Sequence, residues 1–138
     1  MIGIYQHSLD AKGRLFIPAR LREKLGDTFY LTLSTQNCLT AYSLKKWEEL
    51  EEKVGNMPRS KQLQVRPLFS HAARCELDSQ GRVLIPQALR NFAGLSKNVA
   101  VVGTGLYAEI WDADKWAEID AAETSAENLA GVFEELDF

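Results

Sequence analysis

A chain of 138 residues with 46% hydrophobic and 25% charged content has the composition of a globular protein, which excludes a disordered or fibrous one. It holds no apolar run near the roughly 18 residues that span a bilayer, and residues 1–10 lack the basic, apolar and small-residue regions of a signal peptide, so a cytoplasmic protein is expected. The net charge of -3 conceals an asymmetry: residues 1–68 carry 11 Lys/Arg against 7 Asp/Glu, whereas residues 69–138 carry 5 against 12, so a polyanion would approach the first half.

In chain order, short strands are predicted at 4–9 and 14–17, joined by a turn at 10–13. Aspartate bonds its own downstream amides and glycine tolerates positive φ, so Asp-x-x-Gly between apolar runs reads as a tight hairpin turn. Pro18 suits the first position of a helix, Leu21 and Leu25 share one face, and Gly26 supplies the stop. Arg20 and Lys24, four residues apart, fall together on another face. Strands at 28–33 and 38–42 flank the polar loop 34–37, and Ser43 caps a helix whose apolar stripe is Leu44, Trp47, Leu50 and Val54. A connecting helix is expected at 58–72, weakened or kinked by Pro67. Strands near 73–77, 82–85, 99–102 and 108–111 follow, with helices from Pro86 and Asp112 and an acidic tail from Ala121 read as helical.

The second series repeats the first. Ser8-Leu9-Asp10-Ala11-Lys12-Gly13-Arg14-Leu15-Phe16-Ile17-Pro18 returns, 68 residues later, as Glu76-Leu77-Asp78-Ser79-Gln80-Gly81-Arg82-Val83-Leu84-Ile85-Pro86. Leu21, Arg22 and Gly26 return as Leu89, Arg90 and Gly94, and with one residue inserted the segment 42–47 matches 111–116. This divides the chain into a first unit at 5–47, connecting helices at 48–75, a second unit at 76–119 and an acidic tail at 120–138. Two halves this small are marginal alone, so a shared core and a multimer are expected.

Chemistry concentrates at the two turns. Arg14 and Arg82 each follow a turn glycine, where a guanidinium suits phosphate or the N7 and O6 edge of guanine. Equally, each matches an ion pair with Asp10 or Asp78 that locks the turn. Lys12, Arg14, Arg20, Arg22 and Lys24 set five cations against Asp10 and Glu23 within fifteen residues, a DNA-facing stripe or a solvated surface. Asp10 and Asp78, from two similar halves, invite comparison with acid proteases, but the Arg beside each carboxylate would hold it ionised and spoil a shared proton. Cys38 and Cys75 are isolated and read as reduced packing residues; His7 and His71 lack ligand-spaced partners, so neither a metal nor another cofactor is expected. Gly103-Thr104-Gly105 reads as a hairpin turn, and Trp47, Trp111 and Trp116 lie at core spacing. A pure scaffold, with basic halves docking acidic halves, is the remaining alternative.

The paired Asp-x-x-Gly-Arg turns, each followed by a Leu-Arg helix and later a Trp helix, resemble the MraZ family within the wider AbrB/SpoVT group of DNA-binding proteins. That resemblance implies a β-rich α+β fold in which tandem swapped-hairpin units form one pseudo-two-fold, barrel-like domain with peripheral helices. It implies a transcriptional repressor of the division and cell-wall gene cluster, associated with the nucleoid, and neither an enzyme nor a binder of small substrates or membranes. The expected partners are double-stranded DNA, at short tandem promoter repeats, and further copies of the chain in a ring. By the family pattern Lys12 and Arg14 face DNA, with Arg20, Arg22, Lys24 and Arg82 as further candidates and Asp10, Gly13, Asp78 and Gly81 shaping the turns. The second turn departs from the first, with Gln80 where Lys12 stands.

Overall fold

A computed structural model describes residues 1–137, folded as an α+β chain. The first half supplies β1 (Ile2–Ser8), β2 (Arg14–Phe16), α1 (Ala19–Leu25), β3 (Thr28–Leu33), β4 (Leu39–Ser43), α2 (Leu44–Gly55) and α3 (Arg59–Ser70). The second supplies β5 (Ala73–Glu76), β6 (Arg82–Leu84), α4 (Gln87–Ala93), β7 (Asn98–Thr104), β8 (Ala108–Asp112), α5 (Ala113–Glu123) and α6 (Ala126–Glu135). Local signals account for most of these boundaries. Ser43, Asp112 and Ser125 accept backbone N–H bonds as side-chain caps of α2, α5 and α6. Helix α3 continues through Pro67, and the acidic tail divides at Thr124–Ser125 into the end of α5 and the separate α6.

The strands form a six-stranded antiparallel sheet in the order β1-β7-β8-β4-β3-β5, with β2 and β6 paired as a separate ribbon. Among the described residues the ladder runs from β1 to β5 without its ends meeting. Its order is the same read from either end once the halves are exchanged. β1 of the first half lies on β7 of the second, β5 of the second lies on β3 of the first, and β4 meets β8 at the centre.

This corrects the expectation of a hairpin at 10–13. The turn forms, with the Gly13 N–H donating to the Asp10 carbonyl at 3.0 Å, but β1 and β2 then diverge, each to a partner in the other half. A two-stranded hairpin is marginal in water. The exchange instead buries Leu15 and Val83, opposite one another on the ribbon, completely.

One core runs through both halves. Leu15, Ile17, Leu21 and Leu25 lie in the same cluster as their repeats Val83, Ile85, Leu89 and Ala93, with Phe29 and Leu31 beneath. A second cluster joins Cys38, Ala100, Val102, Trp111 and Trp116 at α5, and on the same face of the sheet, over the strands of the first half, Trp47 of α2 stacks on Tyr30 at 4.6 Å. The tryptophans thus pack, as their spacing predicts. Both cysteines are free and buried, and loss of hydration pushes each thiol up to about 11. No helix among the described residues is long and apolar enough to cross a membrane.

Candidate nucleic-acid interface

The two turns are built identically. Asp10 Oδ1 accepts the backbone N–H groups of Lys12 and Arg14, both at 2.9 Å, and Oδ2 accepts Arg14 Nε at 2.6 Å. Asp78 Oδ1 accepts those of Gln80 and Arg82, also at 2.9 Å, and Oδ2 accepts Arg82 Nε at 2.9 Å. Backbone donors, chiefly those of Arg14 and Arg82, hold both carboxyls below the ordinary aspartate value, assisted by the guanidinium groups and opposed by desolvation. Both aspartates therefore stay ionised, the reverse of a proton-sharing acid-protease pair. Each arginine bonds the aspartate through Nε, so its terminal nitrogens are not used in that bond, although Arg82 turns one of them toward Asp10.

The turns also brace each other. Ile85 N–H donates to the Gly13 carbonyl at 3.0 Å and Ile17 N–H to the Gly81 carbonyl at 2.9 Å, while Arg82 Nη1 lies 3.9 Å from Asp10 Oδ2. Gly13 and Gly81 adopt φ of 83° and 77°, in the left-handed region. Above each lies an arginine from the other half: a methyl on Gly13 would stand 2.6 Å from Arg90 Cζ, and one on Gly81 would stand 2.9 Å from Arg22 Nη1.

Among the candidate cations, Lys12 is exposed at the tip of the first turn, and Arg14 is half-buried behind it. Arg20 and Lys24 are exposed on α1, and Lys24 shares a cavity wall with Lys45 and Lys46 at the start of α2. Arg22 points elsewhere. Its guanidinium sits over the Phe16 ring at 5.5 Å, and its buried Nε has no hydrogen-bond partner among the described residues. Arg90, its repeat, donates from Nε to the Ile85 carbonyl at 2.9 Å. Sequence reasoning recognised that Arg22 and Arg90 correspond but missed their task of covering the opposite glycine. The signal available was spacing: Arg22 lies two residues from both Arg20 and Lys24, on the other side of α1.

The duplicated scaffold and its two mutually braced turns define a class of proteins made from one motif used twice in a single chain. In comparison with known proteins, the family model described as "MraZ protein, putative antitoxin-like" matches residues 1–66 and again 68–136. The chain is 48% identical to the transcriptional regulator MraZ of Acetivibrio thermocellus over 93% of this chain and 92% of that one. It is 46% identical to the regulator of the same name from Alkaliphilus metalliredigens, over 98% and 97%, and 44% identical to that of Caldicellulosiruptor bescii, over 99% and 98%. The chain belongs to the MraZ family.

Proposed function

We propose that the chain is a non-enzymatic, DNA-binding transcriptional regulator that acts as a multimer. The observation that carries this reading is the first turn: a rigid, aspartate-locked loop with Lys12 exposed at its tip and Arg14 behind it, in a chain whose relatives are named transcriptional regulators. Lys12 contacts phosphate, and the terminal nitrogens of Arg14 contact phosphate or guanine. Arg20 and Lys24 add flanking phosphate contacts. Arg82 serves chiefly to brace the paired turns, because it bonds Asp78 and approaches Asp10. Arg22 is assigned to packing over Gly81.

The exchanged strands favour the swapped-hairpin description of each unit, with the β2–β6 ribbon as a second link between the two halves of a barrel-like whole. The two turns with Arg20 and Lys24 carry a net charge of only +3 on a chain whose net charge is -3, so one chain alone holds DNA weakly at physiological salt. Several copies engaging successive promoter repeats at once supply the missing affinity through effective concentration. Repression then follows from occlusion of the promoter, in the cytoplasm at the nucleoid, with the division and cell-wall gene cluster as target.

A filter-binding titration with DNA from upstream of the protein's own gene, repeats deleted one at a time, tests this. Arg14→Ala is expected to lose more than the ~1–3 kcal/mol of one bidentate contact, since every copy carries the change. Lys12→Ala weakens all sequences alike and flattens the salt dependence. Arg82→Ala keeps most of the affinity. Wild-type binding by Arg14→Ala beside loss in Arg82→Ala would reverse the assignment of the turns, and failure of the unaltered protein to retain DNA at moderate salt would leave the scaffold reading.

A further inference from the structure

Helix α6 has no seat on its own chain comparable to that of its counterpart in the first half. The order α2–α3 in the first half is matched by α5–α6 in the second. Helix α3 is tied down: Thr32 Oγ1 donates to the Leu68 carbonyl, Gln62 Nε2 donates to the carbonyls of Val54 and Met57, and Phe69 meets Trp47 at 5.3 Å. Helix α6 packs chiefly against the end of α5, and every one of its residues is exposed. Nevertheless its sequence is that of a helix with a face to bury. Leu129, Val132, Phe133 and Leu136 follow the i, i+3, i+4, i+7 spacing of an apolar stripe and stand 39%, 43%, 52% and 59% exposed.

A groove of matching character lies between α2 and α3. It encloses about 560 Å³, floored by Val54, Leu63 and Phe69, with Arg59 and Arg66 on its α3 side and Glu51 on its α2 side. Helix α3 carries three cations, Arg59, Lys61 and Arg66, and no carboxylate; α6 carries three carboxylates, Glu127, Glu134 and Glu135, and no cation. The apolar stripe matches the apolar floor, and the carboxylates of α6 match the cations on the α3 side of the groove, while the α2 side, with Glu51, carries no such match.

We propose that α6 of one copy lies in the α2–α3 groove of a second copy and that this contact builds the assembly. Each chain then offers one helix and one groove, so contacts propagate from copy to copy and close into a ring or a reciprocal pair. The inference rests on the multimeric part of the function proposed above.

Light scattering on the full-length protein, with far-UV circular dichroism and thermal melts as controls on folding, tests it. The stripe is exposed, so Phe133→Asp should fold as the unaltered protein does while its mass falls toward the 15.5 kDa of one chain. Leu63→Asp in the groove should do the same. Mixing these two folded variants should restore one intact contact and yield two-chain species, because each retains the surface the other lacks. Reversing the three cations of α3, or the three carboxylates of α6, should each reduce the mass, and the combined reversal should recover it. A multimeric unaltered protein whose mass is untouched by Phe133→Asp and Leu63→Asp overturns this inference and leaves the multimeric reading standing. An unaltered protein that is monomeric at micromolar concentration overturns both.

Discussion

Asp10 and Asp78 each do two things with two oxygens: Oδ1 gathers the backbone amides of the turn, and Oδ2 holds the arginine that follows it. The arginine is thereby aimed, and its Nε is no longer available to DNA. Because both carboxyls sit below 3.8, the ordinary value, their contribution to the turns is complete above that pH and is lost as pH falls through the folded value. Acidification below 3.8, through the folded value, should therefore loosen both turns before the core melts. Amide exchange at Lys12, Arg14, Gln80 and Arg82 measures this; protection unchanged well below that pH would contradict the role given to the carboxylates. The aspartate–arginine pairing was one of two readings open in the sequence, and it forms in both turns. Helix spacing placed Arg22 on the side of α1 away from Arg20 and Lys24, but could not disclose that it covers Phe16 and Gly81 there, because those partners lie outside the helix.

At the scale of elements, strands and helices were legible because each has its own period and its own stop signals. Leu21 and Leu25 are buried as their spacing predicts, and Ser43 caps α2. Strand partners were not legible. Periodicity states that a segment has a face to bury and leaves open which edge receives it, so β1 and β2 read as a local hairpin although each pairs across the halves. The turn between them depends on glycine twice, for its φ and for the arginine lying over it. Gly13→Val should lower stability by about 1–3 kcal/mol from the backbone strain alone, with displacement of Arg90 added. A urea midpoint equal to that of the unaltered protein would show that the turn tolerates a side chain. Gly81→Val is expected to destabilise to a similar degree and to reduce DNA affinity less.

For the whole molecule, the exchanged strands and the common core make the halves one cooperative unit. Leu21→Ala, though confined to the first half, should cost roughly 2–5 kcal/mol and shift a single transition. Trp47 reports on the first half and Trp111 with Trp116 on the second. Variants retaining one set or the other should melt at the same midpoint as the far-UV signal, and two separated midpoints would show the halves unfolding independently.

The pairing of β1 with β7 also has a consequence for synthesis. Some 90 residues separate these partners, and ribosomes add about 5–20 residues per second, so β1 waits roughly 5–20 seconds for its partner to be made. During that interval β3 and β4 can already pair as neighbours, whereas Ile2 to Ser8 remains an unpaired strand on a nascent chain. The first segment to leave the ribosome is thus among the last to find its place, and a chain released before residue 98 has nothing to hold it.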